Sequence, residues 1–245
     1  MAWTPDQRIV YSADTKDSTT LWIMNADGSK QKQLIPSGGV NSYPSLTSDG
    51  RLVVFQSNRG GHFGVWRADL NGENMMPLTG DTAGGWPSVS PDGKWIIYNS
   101  NINSDGELWR LSTAGGEPVR LVDKPARWAI VSLDSKMVAC SFDGDGRTKL
   151  VILSLDDGRL VRSFDISRLA NLRLGFHWTP DGKAVTYLDR TNGIWRQDLS
   201  GGEPQRLKGL PEEKLFSYAW SPDGKWFAYT RGSTTRDVVL ISNAK

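Results

Sequence analysis

Six aspartates recur along this sequence at near-constant spacing: Asp6, Asp49, Asp92, Asp134, Asp181 and Asp223. A series of carboxylates is the raw material of general acid–base catalysis. Each, however, stands two residues after a Ser or Thr, in Thr4-Pro5-Asp6, Thr47-Ser48-Asp49-Gly50, Ser90-Pro91-Asp92-Gly93, Ser132-Leu133-Asp134, Thr179-Pro180-Asp181-Gly182 and Ser221-Pro222-Asp223-Gly224. Pro presets φ, Gly accepts φ > 0, and a turn Asp takes hydrogen bonds from backbone N–H groups just ahead of it. The aspartates are therefore expected to hold turns. The other chemistry is sparse. His62 and His177 are the only histidines, too few for a multi-histidine metal centre. Asp143-Gly144-Asp145-Gly146-Arg147 has oxygen ligands at a calcium-like spacing without the downstream acid of an EF-hand loop, and reads as a polar turn. Neither a G-x-S-x-G elbow nor a phosphate-binding loop occurs. The expectation is a non-enzymatic chain with no metal and no cofactor.

The same aspartates define the elements around them. Their steps are 43, 43, 42, 47 and 42 residues. A second marker keeps this register: Trp22, Trp66, Trp109 and Trp195, with Val151 and Val239 in the equivalent places. The clearest unit, Trp86–Leu121, divides into four short apolar runs: Trp86–Ser90, Trp95–Tyr98, Glu107–Leu111 and Pro118–Leu121. Runs rich in aromatic and β-branched residues between turn signals read as strands, so each unit is a four-stranded antiparallel meander. One such sheet would leave both faces in water. Repeated radially at 40–45 residues it gives a β-propeller, in which every sheet is covered by its neighbours; an open sandwich needs no fixed period.

The sequence thus predicts an all-β fold: one six-bladed propeller domain over 1–245, with blades at about 1–42, 43–85, 86–126, 127–175, 176–217 and 218–245. The last blade carries three strands and lacks a fourth within this chain, which is expected to be donated from upstream. Unit four departs from the pattern, with Leu133 for proline, Ser135 for glycine and a long basic and apolar connection from Asp165 to Gly175. Cys140 aligns with Tyr11, Phe55, Tyr98, Tyr187 and Tyr229 at the ends of second strands, so it is expected to be a buried structural thiol. The third-strand tryptophans are expected to pack between blades.

The pattern Ser-Pro-Asp-Gly-Lys-Trp, followed by Leu-Trp and then Gly-Gly-Glu-Pro-x-Arg-Leu, resembles the TolB-like (PD40) propeller repeats over essentially the whole chain. The run Trp178–Gly182 and the ending Arg231-Gly232 with Asp237–Asn243 resemble the C-terminal propeller of bacterial, acidobacterial, receptor-type serine/threonine kinases. That resemblance implies a kinase domain and a membrane anchor elsewhere in a parent protein, and an extracytoplasmic, periplasmic location. Two other settings fit the fold: the gating propeller of a prolyl-oligopeptidase-type peptidase, and a periplasmic TolB-like scaffold.

Twenty-nine Lys and Arg face 27 Asp and Glu, a net charge of +2 with no long run of one sign, which argues against nucleic-acid and membrane-surface binding. No apolar stretch approaches the roughly 18 residues of a membrane-spanning helix. What remains is a recognition surface for a protein partner or small ligand. Residues placed where the chain crosses the channel mouth are Asn41, Tyr43, Trp86, Arg127, Trp128, Arg173 and Tyr218, and His177 lies in a first strand facing the axis, in register with Ser45, Ser88 and Ala219. Aromatic and Arg side chains are the types that dominate binding hot spots.

Overall fold

Trp86–Leu121 folds as its turn residues dictate in the computed structural model, which describes residues 1–15, 18–80, 84–100, 106–144, 147–166, 175–189, 193–210 and 215–232. The strands of this unit are Gly84–Val89, Trp95–Ser100, Glu107–Ser112 and Val119–Val122, paired antiparallel in that order. At the first turn the Ser90 hydroxyl donates to Asp92 Oδ1 (2.6 Å), the Lys94 N–H donates to the same oxygen (3.1 Å), and the Trp95 N–H donates to Ser90 Oγ (2.9 Å). The Ser/Thr-to-Asp bond recurs at all six turns, at 2.5–2.6 Å. The turn glycine sits at φ 72 in this unit. Ser135 adopts φ 57 at the matching position and uses its hydroxyl to accept the Asp92 N–H of the blade before, at 2.9 Å. The left-handed conformation is thus kept where the glycine is lost, and a bond between neighbouring blades accompanies the change.

The described residues form an all-β propeller of five four-stranded antiparallel sheets and a sixth sheet of two strands, Leu215–Trp220 and Phe227–Arg231. The sequence predicts six blades; the described residues contain five complete ones and a partial sixth. The third strand expected around Val239, like the expected missing fourth strand, lies outside the described residues. The outermost strands are weaker than the sequence suggests. Lys32–Gln33, Met76–Pro77 and Gln205–Arg206 are two residues long and exposed, because the outer edge has no neighbouring sheet to pack on.

The core lies between the blades. Val10, Leu21 and Ile23 of the first meet Val53 and Phe55 of the second; Val54 and Val65 meet Ile96, Tyr98 and Leu111 of the third. Ile97 and Leu108 meet Val138, Cys140 and Val151 of the fourth, and Ala139, Leu150 and Ile152 meet Phe176, Val185 and Tyr187 of the fifth. Leu188 and Ile194 then meet Leu215 and Tyr218 of the sixth. Adjacent residues of one strand, such as Ile96 and Ile97, therefore serve different interfaces, since successive side chains point to opposite faces. Polar contacts add to this packing. Arg110 donates to the carbonyls of Leu155 and Asp156 in the next blade, at 3.0 and 2.9 Å, while lying 4.4 Å from the centre of the Trp95 ring. Gly72 and Gly158 run so close to Leu34 O and Leu121 O of the preceding blades that a Cβ would sit 2.1 and 2.0 Å from them, which only glycine tolerates. Trp3 Nε1 donates to Ala219 O at 3.4 Å, so the first inner strand meets the last.

Thr179 tests how far the turns matter. Its hydroxyl donates to Asp181 and accepts the N–H of buried Ala184 (3.1 Å). Thr179→Val keeps the shape and strands both partners, so it should cost about 1–3 kcal/mol in denaturant unfolding; an unchanged midpoint would refute a structural role for these turns.

Candidate functional site

The inner strands of blades two to four each carry one residue too many for regular pairing. Register shifts occur between Ser42 and Ser45, across Gly85–Ser88, and between Arg127 and Ile130. At each shift an aromatic residue takes left-handed backbone: Tyr43 at φ 53, Trp86 at φ 51 and Trp128 at φ 59. Such a conformation costs a bulky side chain on the order of 1–3 kcal/mol. A bulge re-aims the side chain it carries, and here three rings are turned toward the axis and meet. Trp86 and Trp128 lie 4.7 Å apart between ring centres, and Tyr43 lies 6.2 and 6.4 Å from them. In blade five the same place holds Gly175, at φ 71, against the Trp128 ring.

These rings line a cavity of about 1010 Å³ that runs along the propeller axis. One end is ringed by the turns, through Pro5, Ser48, Pro91, Leu133, Pro180 and Pro222. The inner strands form the wall, and Ser45, Ser88 and His177 face it two residues beyond the aromatic positions. The Ser45 hydroxyl accepts the Val89 N–H (2.9 Å) and the Ser88 hydroxyl accepts the Val131 N–H (3.0 Å), tying adjacent inner strands together.

Of the residues expected at the mouth, Tyr43, Trp86, Trp128 and His177 are brought together on this cavity, within the inner strands and not ahead of them. Asn41 is fully buried in a structural network, with Nδ2 donating to Thr19 O (3.2 Å) and Oδ1 accepting from the Ser57 hydroxyl (2.8 Å). Tyr218 is fully buried behind His177, with ring centres 4.3 Å apart and its hydroxyl 3.3 Å from Thr186 Oγ1. Arg127 is half-buried off the cavity wall. Arg173, and with it most of the Asp165–Gly175 connection, lies outside the described residues, as do the side chains of the calcium-like turn at 143–146. Gln56 lines the cavity without having been singled out in the sequence: it is 5% exposed, and its Oε1 accepts the Trp86 N–H (3.2 Å). The available signal was one amide inside the apolar run Leu52–Ser57.

Among the described residues the titratable groups near the cavity are few. Burial pushes the His177 imidazole down to about 3, with the Met1 ammonium adding to the shift, so it is neutral at ordinary pH. The carboxylates of Asp49 and Asp181 are held ionised. The Thr47 hydroxyl and then the Arg51 N–H keep Asp49 below the usual carboxylate range, and Thr179 with Lys183 does the same for Asp181. Cys140 is fully buried and burial pushes its thiol up, which makes it inert. Among the described residues no three metal-ligating side chains come together.

Radial four-stranded meanders around an axial cavity define a β-propeller. The chain belongs to the TolB β-propeller (PD40) family, whose model matches residues 1–128. It is 23% identical over 187 residues to an uncharacterized protein of Agrobacterium fabrum, covering 76% of this chain and 53% of that one, so the chain spans about half the length of the curated relative it matches. Among solved structures it is similar to TolB from Acinetobacter baumannii (TM-score 0.67, 20% identity, 83% of this chain and 54% of that one). It is also similar to a putative TolB from Agrobacterium tumefaciens (TM-score 0.72, 17% identity, 94% and 89%). An oligogalacturonate lyase in complex with manganese shares the fold at TM-score 0.63 and 14% identity, over 95% of this chain and 70% of that one.

The state of His177 gives a pH prediction. Its folded value lies below the ordinary 6.5, so the unfolded chain binds the proton more readily. The contribution of His177 to stability is then full above about pH 6.5 and is lost as the pH drops from there toward 3. Asp49 and Asp181, whose carboxyls are held below their ordinary value, lose their contribution only below about pH 5. His177→Gln should flatten the decline of melting temperature between pH 6.5 and 4.5; an identical slope in both proteins would show that His177 does not titrate as described.

Proposed function

We propose that this chain is a non-catalytic recognition module that captures a protein segment or a small ligand in the axial cavity, with Tyr43, Trp86 and Trp128 as the contact surface. The observation that carries this reading is the repeated strained bulge: three blades hold an aromatic side chain in left-handed backbone so that its ring reaches the axis. Packing between blades does not require it at Tyr43 and Trp86, which take no part in the inter-blade cores, whereas Trp128 also packs against the core between blades four and five. Recognition in place of bond-making is supported by the commitment of the turn aspartates to backbone and hydroxyl bonds.

In this reading the ring has six blades, the last completed by residues beyond Arg231 or from elsewhere in a parent protein. The parent is a larger bacterial signalling protein such as a receptor-type serine/threonine kinase, in line with the resemblance of the C-terminal blades, and the propeller is its extracytoplasmic domain. Membership of the TolB family also favours a periplasmic scaffold that binds proteins through the channel mouth. Either parent uses the same cavity.

A thermal-shift screen of peptides and small molecules against the folded chain provides the test. Binders should lose at least tenfold in affinity, about 1.4 kcal/mol, on Trp86→Ala and on Trp128→Ala. Binders indifferent to both changes in proteins that remain folded would rule out the cavity as the recognition surface.

A further inference from the structure

The composition of the cavity wall narrows what it accepts. Charged residues are 23% of the sequence, yet none of the described side chains lining the cavity is Asp, Glu, Lys or Arg. The one imidazole there, His177, is neutral. Moving an ion out of water onto such a wall costs its solvation with no side-chain counter-charge in return, and the Met1 amine on the same wall is pushed down to about 6 by burial. The wall is not simply apolar, however. Ser45 Oγ and Ser88 Oγ each accept a backbone N–H, which leaves each hydroxyl proton free to donate. Gln56 spends its Oε1 on the Trp86 N–H, and its Nε2 makes no hydrogen bond among the described residues. Unspent donors therefore face a space walled on one side by three aromatic rings.

We propose that the axial cavity binds an uncharged oligosaccharide, with pyranose C–H faces against Tyr43, Trp86 and Trp128 and ring or hydroxyl oxygens accepting from Gln56 Nε2 and the Ser45 and Ser88 hydroxyls. This rests on the recognition reading above and names its ligand class. The electron-rich faces of aromatic rings attract the positive edges of C–H groups, and a sugar presents those edges on one face and oxygen acceptors around its rim. Two tiers on the same inner strands match that layout. Ser45 and Ser88 follow Tyr43 and Trp86 by two residues, about 7 Å along an extended strand. An extended peptide fits less well, because it brings an N–H with every carbonyl, and Gln56 Oε1 and the Ser45 and Ser88 oxygens have each already used one of their two lone pairs. The volume, about 1010 Å³, is that of a small-ligand pocket.

The test is a glycan array carrying uncharged oligosaccharides beside uronate-containing, sialylated and sulfated ones, with an array of uncharged peptides in parallel. It is probed with the wild-type chain, Tyr43→Gly and Gln56→Glu. Glycine at φ 53 removes the ring without backbone strain, and Gln56→Glu keeps the acceptor for the Trp86 N–H while removing the donor. Melting curves establish that both variants are folded. The wild type should retain uncharged glycans at least tenfold more strongly than their uronate counterparts, and both variants should lose that retention tenfold or more. Retention of charged glycans alone, or of peptides with no glycan retained, overturns the ligand class and leaves the recognition reading standing. Glycan retention that both variants keep overturns the placement and the recognition reading together, and arrays silent in every class overturn the ligand class.

Discussion

A sheet a few strands wide has two apolar faces, and the need to cover both governs this chain. Ile96 and Ile97 are neighbours in one strand and serve two different interfaces, so no blade is stable except beside the next. That requirement produces the regular period, the large side chains at fixed places, and glycine where Gly72 and Gly158 touch the preceding blade. It also means that the hydrophobic core is divided among the gaps between sheets. The axis is left as an open space, and of the residues facing it Tyr43 and Trp86 are released from packing between blades.

The site uses that release. Polar turns hold one mouth, and the inner strands hold the wall. The bulges place three rings where an ordinary strand would have pointed them into an interface. Strain of this kind persists only where its surroundings over-determine it, and here Gln56 fixes the backbone at Trp86 while Ser45 and Ser88 bind the neighbouring inner strands. His177 shows the same economy. Wedged against Tyr218, it is kept neutral and contributes shape and hydrogen-bonding capacity without charge.

Much of the architecture was legible because it repeats. The Asp and Trp markers located the sheets, and the pairing of Phe55 with Trp66, Tyr98 with Trp109, Cys140 with Val151 and Tyr187 with Trp195 is the register that those markers imply. The reading of the turn aspartates as structural agrees with their hydrogen bonds. The site was less legible. A bulge is one extra residue, and it leaves no mark on a period of about 43, so Tyr43, Trp86 and Trp128 were identified as rim aromatics without the geometry that turns them inward. Asn41 and Tyr218 were included for their position and proved to be packed, since inner-strand residues alternate between wall and interface and the bulge changes the phase of that alternation. Gln56 was missed because a single amide in an apolar strand has the same appearance whether it faces a cavity or a neighbouring sheet.

Binding at the axis is tested most directly by fluorine NMR of the chain labelled with 5-fluorotryptophan, with resonances assigned by single Trp→Phe changes. On saturation with a bound glycan or peptide, the Trp86 and Trp128 resonances should shift while those of Trp66 and Trp109, packed between blades, stay in place. Shifts confined to Trp66 and Trp109, with Trp86 and Trp128 unmoved, would contradict recognition in the axial cavity.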